Sequence, residues 1–265
     1  MTSATRIDIP RKCNVFGVGV TPTTYDAALA LVLDAANTHR PLCMTHLAVH
    51  GLMEARRDAT FNAVLEDFDI VAPDGQPVRH ALNLLYKTRI PENCRGPEFI
   101  VRVCRGAAQK GVGVYFYGST SEVVEALKRN LAARYEGLDV VGAEPSLFRP
   151  LSDGEMEELA ERINGSGCGV AFFGMGCPLQ ERFVHALKDR VHAVMIANGA
   201  AFEMHAGFRK MAPRWMQRLT LEWLYRLMQE PKRLFGRYLA TNTAFLAQLA
   251  LHYTGLKKTP RLGER

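Results

Sequence analysis

The stretch that decides the fold is Gly169-Val-Ala-Phe-Phe-Gly-Met-Gly-Cys-Pro-Leu-Gln-Glu181, an apolar run that passes through a glycine turn into a helix-compatible segment. Its first five residues are apolar on both faces, which is typical of a central strand covered on both sides. A strand that leads through such a turn into a helix is typical of open α/β sheets, in which ligands bind at the carboxyl ends of the strands.

Further apolar runs alternate with helical patterns along the rest of the chain. Ser152 with Glu155 three residues later is a capping box, and Ser121 is a second helix start. The alternation predicts an α/β fold with a Rossmann-like, mostly parallel sheet and helices on both faces. The other predicted strands are 15–20, 42–49, 70–72, 112–117, 140–143 and 193–197, and the predicted helices are 24–38, 51–66, 76–87, 97–110, 121–135, 152–164 and 179–188.

The charge of the chain is divided unevenly. Residues 209–265 contain 12 Lys and Arg against 3 Asp and Glu, a net charge of +9, whereas residues 1–208 contain 21 against 24, a net charge of −3. Both tryptophans, Trp215 and Trp223, lie in the basic segment. We therefore expect a catalytic core over 1–208 and a basic, amphipathic, helical appendage over 209–265.

The appendage shows only helical patterns, over 213–228 and 231–253, in which arginine alternates with apolar and aromatic residues. Arginine is suited to clamping a diphosphate, and such a helix is also suited to an anionic bilayer surface. A solvated basic face is the plain structural alternative, and nucleic-acid binding is another, although no common nucleic-acid motif is present. The arginines concerned include Arg214, Arg218, Arg226, Arg233 and Arg237.

The composition excludes several other classes of protein. A hydrophobic content of 48% is sufficient for a core, and the six cysteines show no CxxC spacing, which favours buried free thiols over disulfides or a zinc site. The N-terminus has no apolar region of a signal peptide, and no run approaches 18 apolar residues. We expect a soluble or peripheral protein.

Three strand exits, at 118–121, 174–181 and 198–200, are glycine-containing turns that lead into helices. Backbone N–H groups and helix dipoles at such turns suit phosphates, although any one turn could simply be tight. Leu179 stands where a dinucleotide fingerprint needs its third glycine, and there is no Walker A motif. Three such turns on one edge predict a nucleotide or sugar-phosphate site.

Asp74, in Pro73-Asp74-Gly75, is the candidate general base, because it would stand on a rigid turn at the rim of the sheet. A turn or capping role is the alternative. The sequence Asp67-Phe-Asp69 matches a metal-binding DxD pattern but precedes a strand, so we expect it on the opposite edge and predict no metal site.

Several segments, in their order and spacing, resemble the WecG/TagA/CpsF family, glycosyltransferase family 26. The similarity covers roughly residues 13–240. The segments are Phe68-Asp-Ile-Val-Ala-Pro-Asp-Gly-Gln-Pro-Val78, Phe173-Gly-Met-Gly-Cys-Pro-Leu-Gln-Glu181, Asn198-Gly-Ala-Ala-Phe202, Ala212-Pro-Arg-Trp215, Leu221-Glu-Trp-Leu-Tyr-Arg-Leu227 and Glu230-Pro-Lys-Arg-Leu234.

The resemblance implies an inverting, metal-independent transfer from a UDP-sugar, a hexose or an N-acetylhexosamine, to a polyprenyl-diphosphate-linked sugar. The reaction would take place at the cytoplasmic face of the cell membrane, in envelope or extracellular polysaccharide biosynthesis, with no cofactor and no nucleic-acid partner. Self-association into a homo-oligomer is compatible with the sequence.

The resemblance also implies site residues. The family's catalytic Asp matches Asp74, and Gln180 is the foremost side-chain contact in the nucleotide loops. Relatives often carry Thr and Asn near His46 and Ala48, and Arg95 is the candidate replacement for a family arginine two residues away. The implied substrate contacts are Thr45, His46, Gln76, Arg95, Gly118, Ser119, Gly174, Gly176, Pro178, Gln180, Glu181, Asn198, Gly199, Arg214, Arg218, Arg226, Arg233 and Arg237.

Two hypotheses from other classes compete with the glycosyltransferase. One is a non-catalytic, membrane-recruited protein that binds nucleotide sugars as a scaffold, which UDP binding without transfer would favour. The other is a nucleotide-dependent α/β enzyme such as a reductase, which NAD(P) binding would favour.

Overall fold

A computed structural model describes residues 8–213, 215–216 and 221–257, apart from the side chains at 233 and 237. The strands are β1 Cys13–Val15, β2 Val18–Val20, β3 Leu42–Leu47, β4 Ile70–Pro73, β5 Gly113–Gly118, β6 Val140–Glu144, β7 Cys168–Gly174 and β8 Val194–Ala197. The helices are α1 Tyr25–Asn37, α2 Val49–Arg57, α3 Ala59–Asp67, α4 Gln76–Tyr86, α5 Gly96–Lys110, α6 Ser121–Arg134, α7 Asp153–Gly165, α8 Leu179–Leu187, α9 Gly199–Ala206, α10 Glu222–Gln229 and α11 Pro231–Tyr253.

Strands β3 to β8 form one six-stranded sheet in the order β4-β3-β8-β7-β5-β6, and every pair in it is parallel. The strands β3, β4, β5, β7 and β8 are almost wholly buried, whereas β6 is a half-exposed edge strand. Apolar side chains alternate between the two faces of the sheet. The Rossmann-like fold predicted from the apolar runs is confirmed.

Helices cover both faces, and each face has its own core. Leu31 of α1, Val124 of α6 and Phe202 of α9 lie in the core on one face. Leu52 of α2 and Val184 of α8 lie in the core on the other. Because both faces are covered, the strands need no polar face, which explains their continuous apolar sequence.

Three local predictions are wrong in ways that have a clear cause. Residues 15–20 are not one strand but part of the hairpin β1–β2, because Phe16 and Gly17 both take positive φ angles of 58° and 98° and turn the chain back. The helix predicted over 51–66 is broken at Asp58, whose carboxylate accepts hydrogen bonds from the backbone N–H groups of Thr60 and Phe61 and so caps α3.

The third is strand β3, which ends two residues earlier than predicted, because α2 already begins at Val49. Helix α6 begins at Ser121 as predicted, and the side chain that caps it belongs to Thr120. Helix α9 is the helix into which the turn at 198–200 was predicted to lead, although its bounds were not predicted. The capping box of Ser152 and Glu155 is confirmed, and all six cysteines are free thiols.

The C-terminal helix α11 shares the core of the body. It packs against α2 and α4, and Phe245 lies 5.3 Å from the ring of Phe16 in the hairpin, edge to face. Leu234 and Thr241 are also buried, whereas Phe235 and Leu239 on the opposite side of the helix are exposed. None of the helices in the described ranges combines the length and apolar character needed to cross a bilayer.

The position of Phe245 leads to a test of how α11 is held. Phe245 is 1% exposed and Phe235, on the same helix, is 62% exposed. Phe245→Ala should lower the free energy of unfolding by about 3–5 kcal/mol, because it removes a buried ring and leaves a cavity. The matched control Phe235→Ala should change it by less than about 0.5 kcal/mol. Equal effects of the two substitutions in urea unfolding would show that α11 is not docked in this way.

Candidate active site

The strand ends that the sequence singles out lie side by side along the carboxyl edge of the sheet. Going across the sheet, Asp74 follows β4, Thr45 and His46 lie near the end of β3, and Asn198 follows β8. Strand β7 then runs into the loop that begins at Gly174, and β5 into Gly118 and Ser119. Residues from five separate stretches of sequence therefore share one edge, as expected for ligand binding in this class of fold.

Gln180 joins two of these loops. Its Oε1 atom accepts hydrogen bonds from the backbone N–H of Gly176 at 3.1 Å and of Gly199 at 2.8 Å. Its Nε2 atom donates to Glu181 Oε1 at 3.0 Å, and Thr45 Oγ1 donates to the same oxygen at 2.9 Å. Gln180 and Glu181 thereby tie β3, β7 and β8 together. Burial raises the pKa of Glu181, while the hydrogen bonds from Gln180 and Thr45 oppose the rise.

The glycines of the edge allow loops to approach one another closely. A Cβ atom on Gly118 would lie 2.5 Å from the carbonyl oxygen of Gly174, and one on Gly199 would lie 2.6 Å from Gln180 Oε1. Ser119 has a positive φ of 56° and donates its backbone N–H to Gly174 O at 2.9 Å. The N–H groups of Gly176, Gly199 and Ser119 are thus donated within the protein, and these hydrogen bonds shape the edge.

Asn198 and Pro178 complete the loops. Asn198 donates its backbone N–H to Phe173 O and its Nδ2 atom to Gly96 O, both at 2.8 Å, which fixes the start of α5 against β8. Pro178 follows a cis peptide bond and immediately precedes α8.

Asp74 is held at the end of β4 by the backbone. Its N–H donates to Leu47 O at 3.1 Å, which holds the backbone of Asp74 beside the end of β3. The side chain is partly buried. Burial and the nearby Glu222 carboxylate raise the pKa of Asp74 to about 6, and the guanidinium groups of Arg95 and Arg226 oppose the rise. A carboxylate with such a pKa is a stronger base than an ordinary aspartate and is still ionised at neutral pH.

Arg95 is brought to Asp74 by the chain just before α5. Cys94 donates its N–H to Pro73 O, and Arg95 donates its N–H to Tyr25 Oη, both at 2.9 Å. The Arg95 guanidinium forms an ion pair with Glu222, the first residue of α10. This contact joins the appendage to the body at the site.

Three buried polar atoms near Asp74 have no hydrogen-bond partner within the described part of the chain. They are Nε2 of His46, Oε1 of Gln76 and Nε of Arg226. Such unsatisfied atoms are costly, and their grouping indicates a place where a polar ligand binds.

The histidine in this group has a defined protonation state. His46 Nδ1 lies 2.9 Å from Cys94 O, and a carbonyl can only accept, so Nδ1 carries the proton. Burial lowers the pKa of His46 to about 4, so the ring is neutral and Nε2 is an acceptor. Gln76 Nε2 donates to Asn93 Oδ1 at 3.1 Å, which leaves its amide oxygen as the second acceptor.

The structure places one of the expected tail arginines, Arg226, beside Asp74. Arg214 and Arg218 lie outside the described residues. Arg233 and Arg237 lie in the first two turns of α11, and their side chains are outside the described part of the structure. Their roles stay predictions.

The acidic pair Asp67 and Asp69 lies at the opposite edge of the sheet, at the start of β4. Asp67 forms ion pairs with Lys188 at 2.6 Å and His185 at 3.1 Å, and Asp69 accepts from the backbone N–H of Cys43. Across residues 8–213, 215–216 and 221–257, no three His, Cys, Asp or Glu side chains are grouped as metal ligands would be.

Sequence reasoning missed two groups near Asp74. In the sequence, Glu222 is only part of a family motif in a basic segment. Its spacing of four from Arg226 does, however, predict a charged pair on one face of a helix. Tyr25 carries no local signal, because it reaches the site only through the packing of α1.

An α/β sheet with a carboxylate and two arginines at its carboxyl edge is an arrangement that suits a group-transfer enzyme. The model of the Glycosyl transferase WecG/TagA/CpsF family matches residues 13–259. The chain belongs to this family and is a glycosyltransferase, as the sequence motifs predicted.

Two curated relatives carry the name N-acetylglucosaminyldiphosphoundecaprenol N-acetyl-beta-D-mannosaminyltransferase. The one from Bacillus spizizenii is 30% identical over 213 residues, which cover 77% of this chain and 80% of the relative. The one from Bacillus subtilis (strain 168) is 28% identical over 183 residues, which cover 68% of each chain.

The raised pKa of Asp74 has a consequence for stability. The folded protein disfavours the ionised form, so stability is lost as the pH rises from 3.8, the ordinary value, through about 6. Asp74→Asn should therefore be more stable than the wild type at pH 7.5, by at most ~3 kcal/mol, and no more stable at pH 4. Thermal unfolding at both pH values measures this. The control Asp26→Asn, at a side chain that is 90% exposed, should show no such gain. A gain of equal size at both pH values would contradict the account.

Proposed function

We propose that this glycosyltransferase moves a sugar from a UDP-sugar to a polyprenyl-diphosphate-linked sugar, with inversion at the anomeric carbon and without a metal ion. The names of the relatives support an N-acetylhexosamine donor and an acceptor built on N-acetylglucosaminyl-diphospho-undecaprenol. The observation that carries the proposal is Asp74 at the end of β4, within the field of Arg95, Arg226 and Glu222.

The reaction is a single displacement. The acceptor hydroxyl attacks the anomeric carbon, Asp74 takes the hydroxyl proton, and the bond to the UDP oxygen breaks. The negative charge that develops on UDP requires stabilisation. Arg95 and Arg226, whose positive charges act on Asp74, are the candidates for this role. The neutral Nε2 of His46 and the Oε1 of Gln76 offer acceptors for hydroxyl or amide groups of the substrates.

The exposed apolar side chains of the appendage support a role in membrane attachment. Of the sixteen large apolar side chains that are well exposed in the described residues, ten lie from Met211 onward, although this segment is about a fifth of the chain. On α11 they include Phe235, Leu239 and Leu246, on the side away from the buried Phe245. Lys232 lies in the first turn of the same helix. An apolar face beside basic residues suits the anionic inner face of the cell membrane.

A direct test of the function is a transfer assay with a set of UDP-N-acetylhexosamines and UDP-hexoses and a short-chain lipid-diphosphate-N-acetylglucosamine acceptor, in the presence of EDTA. Transfer of one sugar with inverted anomeric configuration is the expected result. UDP binding without transfer would instead support the scaffold hypothesis, and loss of activity in EDTA that Mn²⁺ or Mg²⁺ restores would contradict a metal-free reaction.

Asp74 is expected to be the general base in this assay. Asp74→Asn should fold and bind UDP but lose roughly 10²–10⁴-fold in turnover, the usual contribution of a positioned acid or base. Asp67→Asn removes a carboxylate at the other edge of the sheet and should keep nearly full turnover. A folded Asp74→Asn protein with near-wild-type turnover would rule out this role.

The exposed face of α11 is expected to contact the bilayer. The double substitution Leu239→Ser, Leu246→Ser should reduce cosedimentation with anionic vesicles at least several-fold, because it removes apolar area that would enter the interface. Turnover on a soluble short-chain acceptor should stay unchanged.

The matched control for this face is the pair Leu147→Ser, Phe148→Ser, which alters exposed apolar side chains of the body. It should leave vesicle binding intact. If the α11 variant bound vesicles as well as the wild type did, this face would not be the membrane contact.

A further inference from the structure

Glu222 is an acidic residue in a basic segment, and its side chain points back to the body. It is the first residue of α10, and its carboxylate pairs with the Arg95 guanidinium. The Arg95 side chain is 15% exposed and that of Glu222 is 27% exposed. An ion pair so far withdrawn from water is stronger than a surface pair, and losing one partner leaves the other charge poorly compensated.

Arg95 has a second carboxylate within its field, that of Asp74. The backbone holds Arg95 in place there, since its N–H binds Tyr25 Oη and the preceding Cys94 N–H binds Pro73 O next to Asp74. The guanidinium thus acts electrostatically on a carboxylate of the body and forms an ion pair with a carboxylate of the appendage.

We propose that Glu222 is a positioning residue for sugar transfer: by pairing with Arg95 it keeps that guanidinium from neutralising Asp74, so that docking of α10 makes Asp74 a competent base. The inference rests on the proposed function of Asp74. It adds that the appendage contributes to the chemistry through an acidic residue as well as through its arginines.

The groups that face Asp74 determine the sign of the effect. Glu222 and Arg226 act from α10, Arg95 from the chain before α5, and Tyr25 and Cys94 from the body side. Removing the negative charge of Glu222 takes away a carboxylate that repels Asp74, and it also leaves the positive charge of Arg95 uncompensated by Glu222. Both changes stabilise ionised Asp74 and lower its pKa, which makes it a weaker base.

The experiment is the pH dependence of kcat/KM, which reports ionisations of the free enzyme. In Glu222→Gln the acid limb, the part of the profile in which kcat/KM falls as the pH is lowered, should move to lower pH by about one unit. This is the lower end of the pKa shift that a nearby arginine usually produces in a carboxylate. The plateau should fall about three- to tenfold. Glu222→Asp keeps the charge and should retain most of the wild-type limb position.

Two further variants separate this role from a merely structural one. Glu230→Gln removes a second appendage carboxylate, which pairs with Arg209 at 3.0 Å, and should leave the acid limb where it is. Arg226→Gln removes a positive charge that faces Asp74 and should move the limb to higher pH. A merely structural defect would lower the plateau of kcat/KM in these variants. It would not move the acid limb to lower pH in Glu222→Gln and to higher pH in Arg226→Gln.

The outcomes are distinguishable. Provided that Asp74→Asn is inactive, either of two results overturns the inference. One is a Glu222→Gln profile whose acid limb has not moved, and the other is a Glu230→Gln profile whose acid limb has moved as far as that of Glu222→Gln. If Asp74→Asn is itself fully active, the proposed base is wrong and the inference fails with it. If Glu222→Gln proves too unstable to assay, an unmoved limb in both Glu222→Asp and Arg226→Gln overturns the inference in the same way.

Discussion

The partial withdrawal of the Asp74 carboxylate from water, between charges of both signs, is the constraint on which the site depends. A carboxylate left in water at the rim of the sheet would be a weak base, and one paired directly with arginine would be weaker still. Burial and Glu222 raise the pKa of Asp74, while Arg95 and Arg226 keep the group ionised near neutral pH. Arg95 itself forms an ion pair with Glu222, and in the proposed reaction the two arginines would face the diphosphate of a substrate.

The rest of the fold holds Asp74 and the charged groups around it in place. The parallel sheet brings the ends of β3, β4 and β8 together, and Gln180 and Glu181 lock the loops that follow through buried hydrogen bonds. On the far side, α11 anchors the appendage through Phe245 against the hairpin, and α10 precedes it directly along the chain. The appendage therefore packs into the core and contacts the candidate site through Glu222, and its exposed face is the proposed membrane contact.

Much of this arrangement was predictable from local sequence. Apolar runs followed by glycine turns predicted the sheet and the edge at which the candidate site lies. Pro73-Asp74-Gly75 predicted the candidate base, because a strand that ends in a rigid turn places the next side chain at the rim. Local patterns failed where non-local packing decides. The ion pair of Arg95 and Glu222 joins residues 127 positions apart, and the break at Asp58 interrupts a helical pattern that otherwise continues. The contacts of Gln180 with the N–H groups of Gly176 and Gly199 likewise depend on the packing of two loops and carry no local signal.

The most direct test of the account is a ¹³C NMR titration of the aspartate carboxyl carbons in the substrate-free enzyme, with the signal of Asp74 assigned by its loss in Asp74→Asn. The account predicts a midpoint near pH 6 for that signal. A midpoint at the ordinary aspartate value of about 4 would contradict it, since Asp74 would then be an unperturbed surface carboxylate with no special basicity.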